Sequence, residues 1–171
     1  MEAWQSFYVI VGSSAGALTG LMFVVITLVA GVKEPPSPYQ INGFATPAVV
    51  HFSAVLLLSA VISAPWPDAH FVGTALGVGA LAGLVYMVIV LRRLLRPAPY
   101  KPVVEDWIWH VVLPFVAYIV LLIAHLGLGH QQGWALYTIG GAALLLLFIG
   151  IRNAWDTVIY IAVTQRAESD K

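Results

Sequence analysis

Residues 107–151 read WIWHVVLPFVAYIVLLIAHLGLGHQQGWALYTIGGAALLLLFIGI, 45 positions without one Asp, Glu, Lys or Arg. As one helix rising about 1.5 Å per residue, this stretch would be more than twice as long as the roughly 30 Å of hydrocarbon in a bilayer. Its glycines and paired glutamines, GLGHQQG at 127–133, add backbone freedom and polarity where a chain must turn. A reversal near Gly129 to Gly133 therefore divides it into two spans, 107–127 and 134–155.

The same requirement of about 20 mainly apolar residues is met three more times upstream, at 4–31, 43–64 and 70–91. The breaks carry turn chemistry: KEPPSPYQ, APWPDAH and RRLLRPAPYKPVVED. Proline removes a backbone donor and glycine loosens the chain, so such clusters stop helices. The reading is an all-α integral membrane bundle of five transmembrane helices forming one domain over 1–171, with the last helix free to continue to about 163.

Composition agrees, with 60% of residues hydrophobic, 9% charged and a mean hydropathy of +0.90. A soluble domain carries roughly a quarter charged residues on average, so the apolar surface here requires lipid as its solvent. Cysteine is absent, which excludes disulfides, thiolate catalysis and thiolate-held zinc or iron–sulfur clusters. Eight basic residues balance eight acidic ones, and no basic run with interleaved aromatics suggests a nucleic-acid partner.

Orientation follows from the cations, because Lys and Arg in short loops are retained on the cytoplasmic side. Lys33 lies in the first loop, Arg92, Arg93, Arg96 and Lys101 in the third, and Arg152, Arg166 and Lys171 at or beyond the end of the fifth span. The amino terminus and the second and fourth loops have none. The expectation is an amino terminus outside and a carboxyl terminus in the cytoplasm. Trp4, Trp66 and Trp134 then mark the outer interface and Trp107, Trp109 and Trp155 the inner one, as indoles prefer. MEAWQ lacks the positive region of a cleaved signal peptide, so the first span is expected to stay.

The sharpest motif is GSSAGALTG at 12–20, which puts Gly12, Gly16 and Gly20 four residues apart on one helix face, with Ser13, Ala17 and Thr19 widening the small-residue stripe. In lipid, helices associate through close packing rather than hydrophobicity, and small residues permit it. The third span (Gly73, Gly77, Gly79, Gly83) and the fifth (Gly140, Gly141, Gly150) are the expected partner faces. The motif serves either packing within one protomer or an oligomer seam or pore lining.

A second constellation gathers near the inner leaflet: His51, His110, Arg152, Asn153 and Asp156. Ionisable groups at membrane depth are costly and face the bundle interior or water. Arg152 and Asp156 share a face at i,i+4 and can pair, with Asn153 joining across a turn; an interfacial anchor is the plain reading of that segment. His51 is either a satisfied core histidine or a gating, proton-relay or ligand group.

A bis-imidazole b-haem between the second and fourth spans is geometrically open to His51 and His110, and copper or zinc to His70, His125 and His130 with Asp68, but no spacing is diagnostic, and the reading assigns no cofactor and no metal. No G-x-S-x-G, no H-E-x-x-H and no facing aspartate pair occurs, so an enzyme is disfavoured. Ser13, Ser14, Ser53, Ser59 and Ser63 read as packing residues.

The opening WQSFYVIVGSSAGALTGLMFVVITLVA at 4–30 resembles the start of a family of small multi-spanning bacterial inner-membrane proteins. The resemblance covers about the first 30 residues and, beyond them, only the span pattern. It implies a bacterial inner-membrane setting and brings no activity or site residue. With almost no extramembrane mass, the expected partners are membrane lipids, further copies of the chain and an ion or small solute. The leading expectation is a homo-oligomeric channel or small transport protein; the rival is a regulatory or assembly subunit of a larger membrane complex.

Overall fold

A computed structural model describes residues 2–30, 46–95, 104–130 and 133–169. The KEPPSPYQ loop with Lys33, the cations Arg96, Lys101 and Lys171, and the paired glutamines lie outside the described residues. Among those residues every regular element is helical. Helix α1 is Glu2–Ala30, α2 Thr46–Ser63 and α3 Ala69–Leu94. Helix α4 comprises Val104–Trp107, a π-helical turn Ile108–Val112, and Leu113–Gly129; α5 is Trp134–Ser169.

All five contain a window long and apolar enough to cross a membrane, with mean hydropathies from 1.8 to 2.5. The chain is a multi-pass membrane protein by that measure. Its exposed side chains agree: Ile10, Phe23, Leu57, Val78, Leu126 and Phe148 are each more than half exposed, an apolar surface that water would not tolerate on a soluble monomer.

The turn between the fourth and fifth spans falls where the glycines require it, with α4 ending at Gly129 and α5 opening at Trp134. Trp134 folds back on Gly127, where a methyl group would come within 2.6 Å of the indole. At the α2–α3 turn the Asp68 carboxylate accepts from the His70 amide at 3.0 Å, an N-cap for an otherwise unpaired donor. Trp66 Nε1–H donates to the Val61 carbonyl at 2.6 Å, which fastens the turn to the end of α2.

Three helices extend by three residues or more beyond an end read from the sequence, among them α3, which ends at Leu94 rather than 91. Helix α5 runs to Ser169 rather than to 155 or 163, and α4 begins at Val104. The π turn in α4 has a local cause in Pro114, which lacks the N–H that would reach the carbonyl of His110 and whose ring crowds that carbonyl. The helix widens there, and the Leu113 amide donates to Ile108, five residues back.

Helices α2, α4 and α5 form the centre, with 44–50% of their span windows buried, against 22% for α1 and α3. Helix α5 packs on α4, α2 and α1, while α3 lies mainly on α4. The core runs through Tyr8, Phe52, Val55, Tyr118, Ile139, Leu146 and Ile149. Gly12 and Gly16 of the first span meet α2 and not the third span: Gly12 lies so close that a methyl there would stand 2.7 Å from Ser59 Cβ, and Gly16 is 3.8 Å from Leu56 by the same measure. The third-span glycines instead receive rings from α4, His125 on Gly77 and Tyr118 on Gly83. The fifth span meets the first through Gly140, beside Trp4 and Phe7, and seats Phe52 on Gly150.

Candidate functional site

The end of the bundle that carries Thr46, Arg92, Glu105 and Asp156 holds a set of polar side chains drawn from four helices. His51 sits one and a half turns into α2 and is fully buried. Its Nδ1 lies 3.1 Å from the Tyr118 hydroxyl of α4, and its ring meets Tyr86 of α3 edge-on at 6.4 Å between centroids. Gly83 makes this geometry, because the Tyr118 ring occupies the space a side chain there would need.

His51 Nε2 has no hydrogen-bond partner among the described residues. Either tautomer leaves it unmet: if Tyr118 donates to Nδ1, Nε2 carries a proton with no acceptor, and if Nδ1 donates, Nε2 holds a lone pair with no donor. Asn153 is fully buried on α5 and both its Oδ1 and its Nδ2 lack partners among the same residues. Phe52 rests on Gly150, and Asn153 is one turn from Gly150 on the same face. Asn153 therefore lies within about one 5.4 Å helical turn of His51 in depth. An unsatisfied buried polar group costs about 1–3 kcal/mol, so three such atoms at one level call for water or a polar solute between the helices.

His110 is carried on the π turn and is buried at 6% exposure. Single π turns recur at functional sites because they re-aim a side chain. Thr157, one turn beyond Asn153, is buried and donates to the Asn153 carbonyl at 2.9 Å.

The expected Arg152–Asp156 pair is present. Arg152 also pairs with Glu105 at 2.5 Å, linking α5 to the start of α4. These groups are about a third exposed or more, and pairs of that kind contribute about 0–1 kcal/mol in water. Asn153 does not join them: about 100° round the helix from Arg152, it is fully buried. The five residues thus divide into an outer ionic clasp, Arg152 and Asp156, and an inner group, His51, His110 and Asn153.

The small-residue motif divides as well. Gly12 is buried, Gly16 and Thr19 are half-buried, and Ser13 and Gly20 are exposed. The Thr19 hydroxyl donates to the Ala15 carbonyl of its own helix at 2.8 Å, and nothing lies within 4 Å of the Cβ position of Gly20.

Sequence reasoning missed Tyr118 and Tyr86. The signal for Tyr118 was available: a hydroxyl in the middle of an uncharged span needs a partner, and His51 is the buried group that supplies one. Copper or zinc at His70, His125, His130 and Asp68 finds no support, since among the described residues no three His, Asp or Glu side chains converge as metal ligands.

Fold and site together define a multi-pass helical membrane protein with a polar group enclosed in one half of its bundle. No family model, curated protein or solved structure matches the chain.

Proposed function

We propose that the chain is a homo-oligomeric membrane channel or small transport protein for ions or small solutes, set in a bacterial inner membrane with its amino terminus outside and its carboxyl terminus in the cytoplasm. The observation that carries this reading is the buried constellation of His51, Tyr118 and Asn153, whose polar atoms outnumber the protein groups that satisfy them. Buried groups with that surplus are ones a passing ion, proton or water can use, since imidazole, phenol and carboxamide both donate and accept. The orientation rests on the cations: Arg92, Arg93 and Arg152 lie at the same end of the bundle as this group, which is then the cytoplasmic one.

Self-association draws on the open part of the α1 stripe. Ser13, Ala17 and Gly20 are exposed, and a smooth helix face in lipid suits a second helix. The same face supports the rival reading, a subunit docked on a larger membrane complex.

Reconstitution separates the two. Wild-type protein in liposomes should pass protons or small cations, and Asn153→Leu should reduce that flux several-fold while leaving the protein folded. Absence of flux from wild-type vesicles under proton, sodium and potassium gradients would reject transport in favour of the docking subunit.

A further inference from the structure

The opposite end of the bundle has a different chemistry. Between α3 and α4 lies an open cavity of about 420 Å³ whose walls include His70, His125, His130, Val78, Leu81 and Leu126. Its polarity changes along its length. His70 is in the first turn of α3 and His130 follows the last residue of α4, so two imidazoles stand at the mouth, with His125 about one turn deeper. Val78, Leu81 and Leu126 lie further in or alongside, and each is more than half exposed on the lipid-facing side.

From His70 to Leu81 is eleven residues, about 16 Å of helix, which matches the roughly 15 Å of hydrocarbon in one leaflet. The groove is thus polar where headgroups sit and apolar where acyl chains run. No lining residue is acidic, and none is Lys or Arg. The Thr74 hydroxyl is committed to the His70 carbonyl at 2.9 Å, which leaves the imidazoles as the recognition groups. His125 Nδ1–H donates to the Leu122 carbonyl, and since a carbonyl only accepts, that proton is fixed on Nδ1. Its Cδ2–Nε2 edge lies over Gly77, where a methyl would stand 2.8 Å from Cδ2, so the glycine is what admits the ring.

We propose that this groove binds one phospholipid, with the phosphate held by N–H groups of His70 and His130 beside His125 and one acyl chain laid along Val78, Leu81 and Leu126. An anionic oxygen finds imidazole donors at the mouth, the Asp68 carboxylate beside them standing outside the lining and accepting from the His70 amide, and charge-assisted hydrogen bonds of this kind are about twice as strong as neutral ones. The apolar half of the groove selects a lipid over free phosphate.

The test uses the full chain, purified in detergent and stripped of lipid, then incubated with dioleoyl phosphatidylglycerol, with dioleoylglycerol, or with inorganic phosphate; retained ligand is counted by native mass spectrometry. About one phosphatidylglycerol per protomer is expected to survive, with little diacylglycerol or phosphate. His70→Gln/His130→Gln alters two exposed side chains, so folding is preserved, and should lower retention at least tenfold, as loss of two hydrogen bonds to a charged group implies. Leu81→Trp, which fills the apolar half and leaves the imidazoles in place, should lower it too. Equal retention of diacylglycerol, retention unchanged in the histidine variant, or binding of inorganic phosphate as tight as that of the lipid would each overturn the assignment.

Discussion

His51 shows how much chemistry one position can reveal and where it stops. An imidazole in an apolar span is legible in the sequence as a group that needs partners, and it is indeed enclosed. Its partner Tyr118 was legible only as a hydroxyl in need of a partner, because the two are 67 residues apart and it is the packing of α5 and α3 on both α2 and α4 that brings them together. Tyr118→Phe removes one hydroxyl and leaves the ring on Gly83. Interhelical hydrogen bonds in membrane proteins average about 0.6 kcal/mol and reach about 1.7, so reversible unfolding in mixed micelles should show a loss of about 1 kcal/mol. A loss below the error of the measurement would mean that His51 is satisfied otherwise. Asn153 was legible only as polar: the sequence joined it to Arg152 and Asp156, but adjacent helical residues point about 100° apart, and the side of α5 that packs on its neighbours claimed it.

At the scale of elements, hydropathy located all five spans, because their length is imposed by the bilayer and their ends by Pro and Gly. The partners of each helix were less legible, since a small-residue stripe states that something packs closely without naming it. The first-span glycines were expected against the third or fifth span, and α2 took Gly12 instead because Ser59 presents a side chain small enough to fit. Substitution should therefore have graded effects. Gly12→Leu has no room beside Ser59 and should destabilise the bundle by about 1–3 kcal/mol or more, as overpacking does. Gly20→Leu meets open space and should leave protomer stability unchanged. If copies associate through the exposed side of α1, that same change should shift the protein to smaller species in light scattering after size-exclusion chromatography; unaltered assembly would move the seam elsewhere. Gly83→Leu should cost the bundle as much as Gly12→Leu and also release Tyr118 from His51.

For the whole molecule, one-sided placement of Lys and Arg gives a topology that reporter fusions can read. Fusions after Lys171 and between the third and fourth spans should report cytoplasm, and fusions after Asp68 or His130 the outside; a carboxyl terminus on the same side as the amino terminus would contradict five crossings. If the enclosed polar group serves transport, the bundle admits water or solute to it at its charged end. Magic-angle-spinning NMR of the protein in lipid bilayers, with ¹⁵N-labelled histidine and asparagine, measures this directly through magnetisation transfer from water to the side-chain nitrogens. A water cross-peak to His51 Nε2 and to Asn153 Nδ2 is expected, assigned by its loss in His51→Phe and Asn153→Leu. A dry His51 and a dry Asn153 in otherwise folded protein would contradict it.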